Sequence, residues 1–185
     1  MTLSPRDRLL ATASDIFYRE GINGVGVDRI LSEAGVTRAT MYRHFDGKEA
    51  LVVAYLERED LALREMFAQA GQSGFREDEL LGAVIDGIAM DIANRHTRGC
   101  PFINAAAEFP SPNSSVREVV SRHRAWFRET LEHIAKAAGL KDPDSVAASL
   151  VLLRDAALVG AYLDGAESVQ RSFKDSAAAI LGRGL

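Results

Sequence analysis

Side chains suited to nucleic-acid contact are concentrated between Thr37 and Lys48. Their hydroxyl, guanidinium, imidazole and ammonium groups donate hydrogen bonds to phosphate oxygens and base edges. Arg38 matches O6 and N7 of a guanine, and the small Ala39 permits close approach to a thymine methyl group. The predicted contact residues are Thr37, Arg38, Ala39, Thr40, Tyr42, Arg43, His44 and Lys48. Together they predict a local surface that reads double-stranded DNA.

Each of these residue types also fits a structural role. Tyr42 fits a core aromatic residue with a solvated hydroxyl group equally well, and Thr37 fits a helix N-cap. Arg38 and Arg43 fit a solvated surface, and His44 fits a surface cap. The residue types by themselves leave these alternatives open.

Short helices are expected to present this surface. The turn-forming Gly35 separates a helix predicted over 27–34 from one predicted over about 38–44. Met41 and Phe45, four residues apart, share the inward face of the later helix. A preceding helix starts at Ser4-Pro5, where serine caps and proline suits the first turn. This arrangement predicts a three-helix, helix-turn-helix unit.

The rest of the chain also has helical periodicity, and no segment alternates like a strand. Further helices are expected to begin near residues 46, 77, 102, 115, 143 and 167, with Ser115 and Glu118 as a capping box. The predicted fold is therefore all-α with about nine helices. A DNA-binding domain is expected over residues 1–50, and a larger helical ligand-binding and dimerisation domain over 51–185.

Composition limits the other classes of function. The chain has 185 residues and a net charge of −4, which disfavours indiscriminate coating of nucleic acid. A single cysteine excludes an internal disulfide, and the four scattered histidines lack metal-ligand spacing. No signal sequence or membrane-spanning run is evident, which favours a cytoplasmic protein without a membrane partner. No metal, cofactor or catalytic constellation is predicted, so an enzyme is not expected.

Four segments carry a family resemblance: Val27-Asp28-Arg29-Ile30, Ala34-Gly35-Val36-Thr37, Tyr42-Arg43-His44-Phe45 and Lys48-Glu49-Ala50-Leu51. In this order and spacing they resemble the signature of the tetracycline-repressor (TetR) family of bacterial regulators, over about residues 6–52. The resemblance implies a homodimer that binds a near-palindromic operator.

The resemblance also implies roles for individual residues. Positions matching Thr37, Tyr42, His44 and Lys48 contact phosphates, and those matching Arg38 and Ala39 face the bases. The family often has a threonine just before the second helix that holds a phosphate. Here glycine and valine occupy 24–27, so that side-chain contact is predicted to be missing and the Gly26 backbone to replace it.

In the family, the C-terminal region binds small ligands and dimerises through its last two helices. Apolar walls with a few polar groups suit a ligand site. The predicted pocket residues are Met90, Phe102, Phe109, His123, Trp126 and Phe127, although such an aromatic stripe also fits plain core. The predicted dimer-interface residues are Leu150, Val151, Ala157, Phe173 and Ala177, and the alternative is an ordinary buried helix.

The leading hypothesis is a ligand-responsive transcriptional regulator, in the first place a repressor, whose partners are an operator, a second copy of itself and an unknown small molecule. One alternative is a helical scaffold for a small molecule or protein, without DNA binding. Another is a regulator that senses thiol chemistry through Cys100, whose thiolate the nearby Arg98 would favour.

Overall fold

The computed structural model of the protein describes residues 3–182, which form nine helices and no strand. The helices are α1 (Pro5–Glu20), α2 (Val27–Ala34), α3 (Arg38–His44), α4 (Lys48–Gln72), α5 (Glu77–Asn94), α6 (Pro101–Glu108), α7 (Ser115–Ala137), α8 (Pro143–Asp164) and α9 (Ala166–Ile180). The predicted all-α class is confirmed, and the predicted helix starts agree to within the residue or two by which definitions commonly differ.

The chain divides into two compact units that do not follow chain order. The first unit contains residues 3–61 and 101–122, and the second contains residues 62–100 and 123–182. The predicted domain boundary after residue 50 assumes that each domain is one continuous segment of the chain. The structure instead places α6 with the N-terminal helices.

Local signals fix the helices of the first unit. The hydroxyl of Ser4 accepts the Asp7 N–H at 3.2 Å and caps α1. Gly35 adopts the left-handed conformation (φ 62°) after α2, and the Val36 N–H returns to the Leu31 carbonyl at 3.0 Å. This is the hydrogen-bonding pattern of a glycine-ended helix, so the turn into α3 is defined by its own backbone.

The core of the first unit lies between α1, α2, α3 and the start of α4. Residues from each helix are fully buried, among them Leu9, Ile16, Ile30, Met41, Leu51 and Leu56. Burying each such side chain contributes about 1.5–3 kcal/mol. The short α2 and α3 therefore depend on this packing, because isolated helices of their length are unstable in water.

The second unit is built around α8. Its buried residues include Leu150, Leu158 and Arg154, and Phe173 of α9 is also buried. Within residues 3–182, α8 alone is long and apolar enough to span a membrane by length and composition, with mean hydropathy 1.7. Core helices of soluble proteins pass the same test, and the buried face of α8 fits a core helix.

The start of α7 differs from the prediction of a Ser115–Glu118 capping box. Ser114 occupies the cap position, and its hydroxyl oxygen accepts the Arg117 N–H at 3.2 Å. The Ser115 hydroxyl instead donates to the Glu49 carboxylate of α4 at 2.6 Å. A tertiary partner therefore shifts the cap by one residue.

Candidate nucleic-acid interface and cavity

The α3 helix exposes one face and buries the other. Thr37, Arg38, Ala39, Tyr42, Arg43 and His44 are exposed, and Thr40 and Lys48 are half-buried. Met41 is fully buried and Phe45 is 5% exposed, as the predicted inward face requires. Tyr42 is 54% exposed, so its interpretation as a core aromatic residue is wrong. Thr37 does cap the helix, since its hydroxyl accepts the Thr40 N–H at 3.2 Å.

Arg38 is held by an acidic neighbour in the free protein. Its guanidinium donates to the carboxylate of Asp28 on α2. The hydrogen bond to Asp28, and more weakly one to Tyr42, raises the pKa of Arg38 above its usual range. The guanidinium of Arg38 is therefore charged and oriented by Asp28.

Arginines of α1 and α2 hold these two helices together. Arg29 contacts both oxygens of Glu20 at 2.5 and 2.7 Å, and its Nε lies 2.7 Å from Glu33. Arg8 donates to the carbonyls of Ala34 and Gly35 at 3.4 Å, at the negative end of α2. These bonds fix the orientation of α2, against which α3 packs.

A carboxylate from α6 anchors the turn between α1 and α2. The Ile22 N–H donates to both oxygens of Glu108 at 2.8 and 2.9 Å, and the Asn23 N–H donates at 2.5 Å. The Asn23 amide also donates to the Glu108 carbonyl at 3.2 Å. Gly21 has φ 87°, and a Cβ there would lie 3.3 Å from the Glu108 carboxylate. Sequence reasoning missed Glu108, because nothing local indicates a partner 86 residues away.

Lys48 lies in the first turn of α4, where free backbone N–H groups also attract phosphate. Burial lowers the pKa of Lys48, and the negative charge of Glu108 opposes that shift. The ammonium group is thus partly shielded from water in the free protein.

An apolar cavity of about 70 Å³ lies in the second unit. Its lining residues come from α4, α5 and α8: Leu63, Met66, Phe67, Ala70, Ala83, Val84, Gly87, Ile88, Asp91 and Arg154. The volume is several times the ~10–15 Å³ that one water molecule needs. It has the concave, largely apolar character of a small-ligand site.

The six residues predicted for the pocket do not line this cavity. His123, Trp126 and Phe127 form an aromatic cluster, in which the His123 and Phe127 rings stack at 6.3 Å. This cluster reaches the cavity through Phe67, whose ring lies 5.6 Å from Trp126 and 5.8 Å from Phe127. Met90 is 59% exposed, and Phe102 and Phe109 belong to the first unit.

The residues predicted for the dimer interface are buried within the second unit. Leu150, Val151, Ala157, Phe173 and Ala177 are each at most 9% exposed. A side chain buried in its own subunit offers little surface to a partner. These five side chains of α8 and α9 therefore pack within their own unit.

Cys100 is also buried, with 1% exposure. Arg98 was expected to favour its thiolate, and the structure places the guanidinium of Arg154 beside the sulfur, with Nη1 3.9 Å from Sγ. The Arg98 guanidinium lies 5.5 Å from the ring centre of Tyr162. Burial does not favour the thiol-sensor alternative, since reactive cysteines are partly exposed.

Two family models match the chain. Residues 9–55 match "Bacterial regulatory proteins, tetR family", and residues 78–176 match "Tetracyclin repressor-like, C-terminal domain". The chain belongs to the TetR family. The resemblance recognised in residues 6–52 is thereby confirmed, and it extends to the C-terminal region.

TetR-family relatives share the fold over nearly the whole chain. A TetR-family transcriptional regulator from Streptomyces coelicolor is 41% identical with a TM-score of 0.92, covering 96% of this chain and 94% of that one. A TetR-type regulator from Streptomyces avermitilis is 26% identical with a TM-score of 0.75, covering 95% and 98%. The HTH-type transcriptional repressor NemR of Escherichia coli is 27% identical over 120 residues, or 63% of this chain and 60% of NemR.

Gly26 departs from the usual TetR-family pattern at the start of α2. It occupies the N-cap position with φ −77° and makes no side-chain cap. A Cβ added there would meet nothing within 4 Å. Neither the backbone nor the surroundings therefore require glycine at this position.

We expect Gly26→Thr to strengthen operator binding roughly threefold to tenfold, since one phosphate contact is commonly worth about that much. The threonine hydroxyl caps α2 and donates to a phosphate oxygen. Fluorescence anisotropy of a labelled operator measures the change. Gly26→Ala is the matched control and adds only the methyl group. Equal affinities for the two variants would show that the added hydroxyl makes no phosphate contact.

Proposed function

We propose that this chain is a ligand-responsive transcriptional regulator that represses by binding a near-palindromic operator as a homodimer. The observation that carries the proposal is α3 itself. Its polar and basic face is exposed while Met41 and Phe45 anchor the opposite face in the core. NemR, a relative in sequence, is named a transcriptional repressor. The DNA partner implies a cytoplasmic location.

The proposed DNA contacts follow the exposure of α3. Arg38 and Ala39 read base edges from the N-terminal end of the helix, as recognition helices do. Thr37, Thr40, Tyr42, Arg43, His44 and Lys48 contact the phosphates on either side. Phosphate contacts fix the register of the helix in the groove, and base contacts give the sequence preference.

Ligand binding in the second unit releases the operator by a population shift. The two reading heads of a dimer must lie about 34–36 Å apart to occupy successive major grooves. A ligand that binds better to a conformation with another spacing lowers operator affinity by the ratio of its two affinities. α4 and α7 each have residues in both units, which gives such a change a continuous covalent route.

Dimerisation is proposed to use the exposed face of α8. Leu152, Val159 and Leu163 are 68%, 43% and 70% exposed, and Ala156 between them is also exposed. Their spacing of four, three and four residues places them on one face of the helix. Such an apolar stripe on a helix is typical of an interface between subunits.

We expect the double variant Leu152→Asp and Leu163→Asp to weaken dimerisation by roughly 30-fold or more. The proposed dimer buries both leucines, and the substitutions would place charges in that interface. Sedimentation velocity across a concentration series measures the dissociation constant. The control is Leu61→Asp, which charges a similarly exposed leucine (57%) of the first unit. A double variant that remains as dimeric as the control would place the interface elsewhere.

The proposed function is tested by selecting binders from a random duplex pool at about physiological salt, where non-specific phosphate binding is weak. We expect a palindrome with half-sites about one helical turn apart. Arg43→Glu, which reverses one exposed charge on α3, serves as the non-binding control. If folded, dimeric protein enriches no sequence, even with cell extract present, the helical-scaffold alternative replaces the regulator.

A further inference from the structure

Two charged side chains lie in the wall of the otherwise apolar cavity of the second unit. Asp91 is 8% exposed and Arg154 is 3% exposed, and both line the cavity. Charged groups so deeply buried are costly unless hydrogen-bonding partners compensate for the lost water. Their hydrogen bonds therefore indicate what chemistry the cavity accepts.

Asp91 has one engaged and one available oxygen. Its Oδ2 lies 2.7 Å from Nδ1 of His96, which is also buried. Its Oδ1 is buried and receives no hydrogen bond from the residues that the structure describes. A carboxylate oxygen only accepts, so Oδ1 is matched by a ligand group that donates.

Arg154 has weak partners for a guanidinium with five N–H donors. Its Nη1 lies 3.9 Å from the Cys100 sulfur, a poor acceptor, and 3.8 Å from Asp155 Oδ1. Asp155 is itself paired with Arg124 at 2.7 Å through its other oxygen. The Phe127 ring centre lies 4.9 Å from the guanidinium carbon. Arg154 thus retains the capacity to donate to an oxygen in the cavity.

We propose that the cavity binds a small apolar molecule through a hydroxyl group, as in a phenol. The hydroxyl oxygen accepts from Arg154 and its hydrogen is donated to Asp91 Oδ1. A hydroxyl is the smallest group that does both. A ligand carboxylate would repel the carboxylate of Asp91, and a ligand cation would repel the guanidinium of Arg154. A hydrocarbon would form a hydrogen bond with neither side chain. This inference rests on the proposed function, in which the cavity receives the inducer.

The volume of about 70 Å³ limits the ligand to roughly one ring with small substituents. The probes are therefore p-cresol, toluene and p-toluate, which share a ring and methyl group and differ in the polar end. Isothermal titration into the full chain without DNA measures each affinity. We expect p-cresol to bind at least about tenfold more tightly than toluene or p-toluate, the ratio for one well-formed hydrogen bond.

Two variants test separately where the probes bind and whether Asp91 accepts the hydroxyl hydrogen. Val84→Phe enlarges a buried side chain that lines the cavity and should weaken p-cresol and toluene alike. Asp91→Asn preserves shape and should reduce the preference for p-cresol over toluene. Thermal melting of each variant shows whether it is folded, and the comparison of probes in the unaltered protein does not depend on any variant.

Equal affinity for the three probes, or a preference for p-toluate, would overturn the hydroxyl assignment. Binding of p-cresol that Val84→Phe leaves unchanged would overturn the cavity as its site. Operator binding is measured separately on the same preparation. If no probe binds but the ligand-free protein binds the operator, only this inference is rejected. If the ligand-free protein does not bind the operator, the proposed function is rejected.

Discussion

Replacing Glu108 by alanine is expected to lower the free energy of unfolding by about 2 kcal/mol, within the range for a hydrogen bond to a charged group. The carboxylate accepts the N–H groups of Ile22 and Asn23 at the turn between α1 and α2. Alanine leaves both donors without this acceptor. Urea denaturation followed by circular dichroism measures the change.

The same substitution is expected to weaken operator binding. The turn that Glu108 holds leads into α2, which carries Asp28, the partner of Arg38. Glu108 itself lies at the end of α6, where the helix dipole disfavours a negative charge. Its place there is explained by the bonds to the turn. Fluorescence anisotropy at fixed salt gives the operator affinity.

Two further variants make the Glu108 result specific. Glu108→Gln keeps one acceptor oxygen and should fall between the native protein and the alanine variant in both measurements. Glu118→Ala removes an exposed carboxylate from α7 of the same unit and should change little. If Glu108→Ala has the same free energy of unfolding and the same operator affinity as Glu118→Ala, the turn is held by other contacts.

The second large effect is expected at Arg38. Replacing it by alanine should weaken binding to the selected operator roughly 10- to 100-fold, the range for loss of one bidentate base contact. Binding to unrelated duplexes should fall much less, so the variant loses sequence preference. Anisotropy titrations with operator and scrambled duplexes at the same salt concentration give the ratio.

Lys48→Ala is the matched comparison for Arg38→Ala. A phosphate contact carries no sequence information, so Lys48→Ala should weaken all duplexes alike and reduce the dependence on salt by about one ion. The two residues thus separate base reading from positioning. An Arg38→Ala variant that weakens operator and scrambled DNA equally would assign Arg38 to the phosphates as well.

Local sequence determined where α1, α2 and α3 begin or end and which face of α3 is exposed. Ser4, Gly35 and Thr37 end or begin helices through bonds to residues within five positions, and such signals do not depend on the rest of the fold. The exposed face of α3 followed from Met41 and Phe45, because helical geometry fixes which side chains lie opposite a buried pair. The family resemblance lay in these same local residues.

Tertiary structure alone decided the contacts between distant parts of the chain. Glu108 lies 86 residues from Ile22, and Arg154 lies 54 residues from Cys100. Ser115 bonds to Glu49 across 66 residues and leaves the cap of α7 to Ser114. The sequence shows whether a group donates or accepts hydrogen bonds, but it does not show which distant residue is its partner.

The cavity and the exposed face of α8 show the same limit. The sequence shows that α8 is rich in apolar residues, but it does not distinguish the side covered by its own unit from the side that stays exposed. The structure buries Leu150 and Phe173 and exposes Leu152 and Leu163. The sequence by itself determined the helices and the exposed face of α3. Only the tertiary structure decided which apolar surfaces stay exposed, because burial depends on which surfaces distant segments cover.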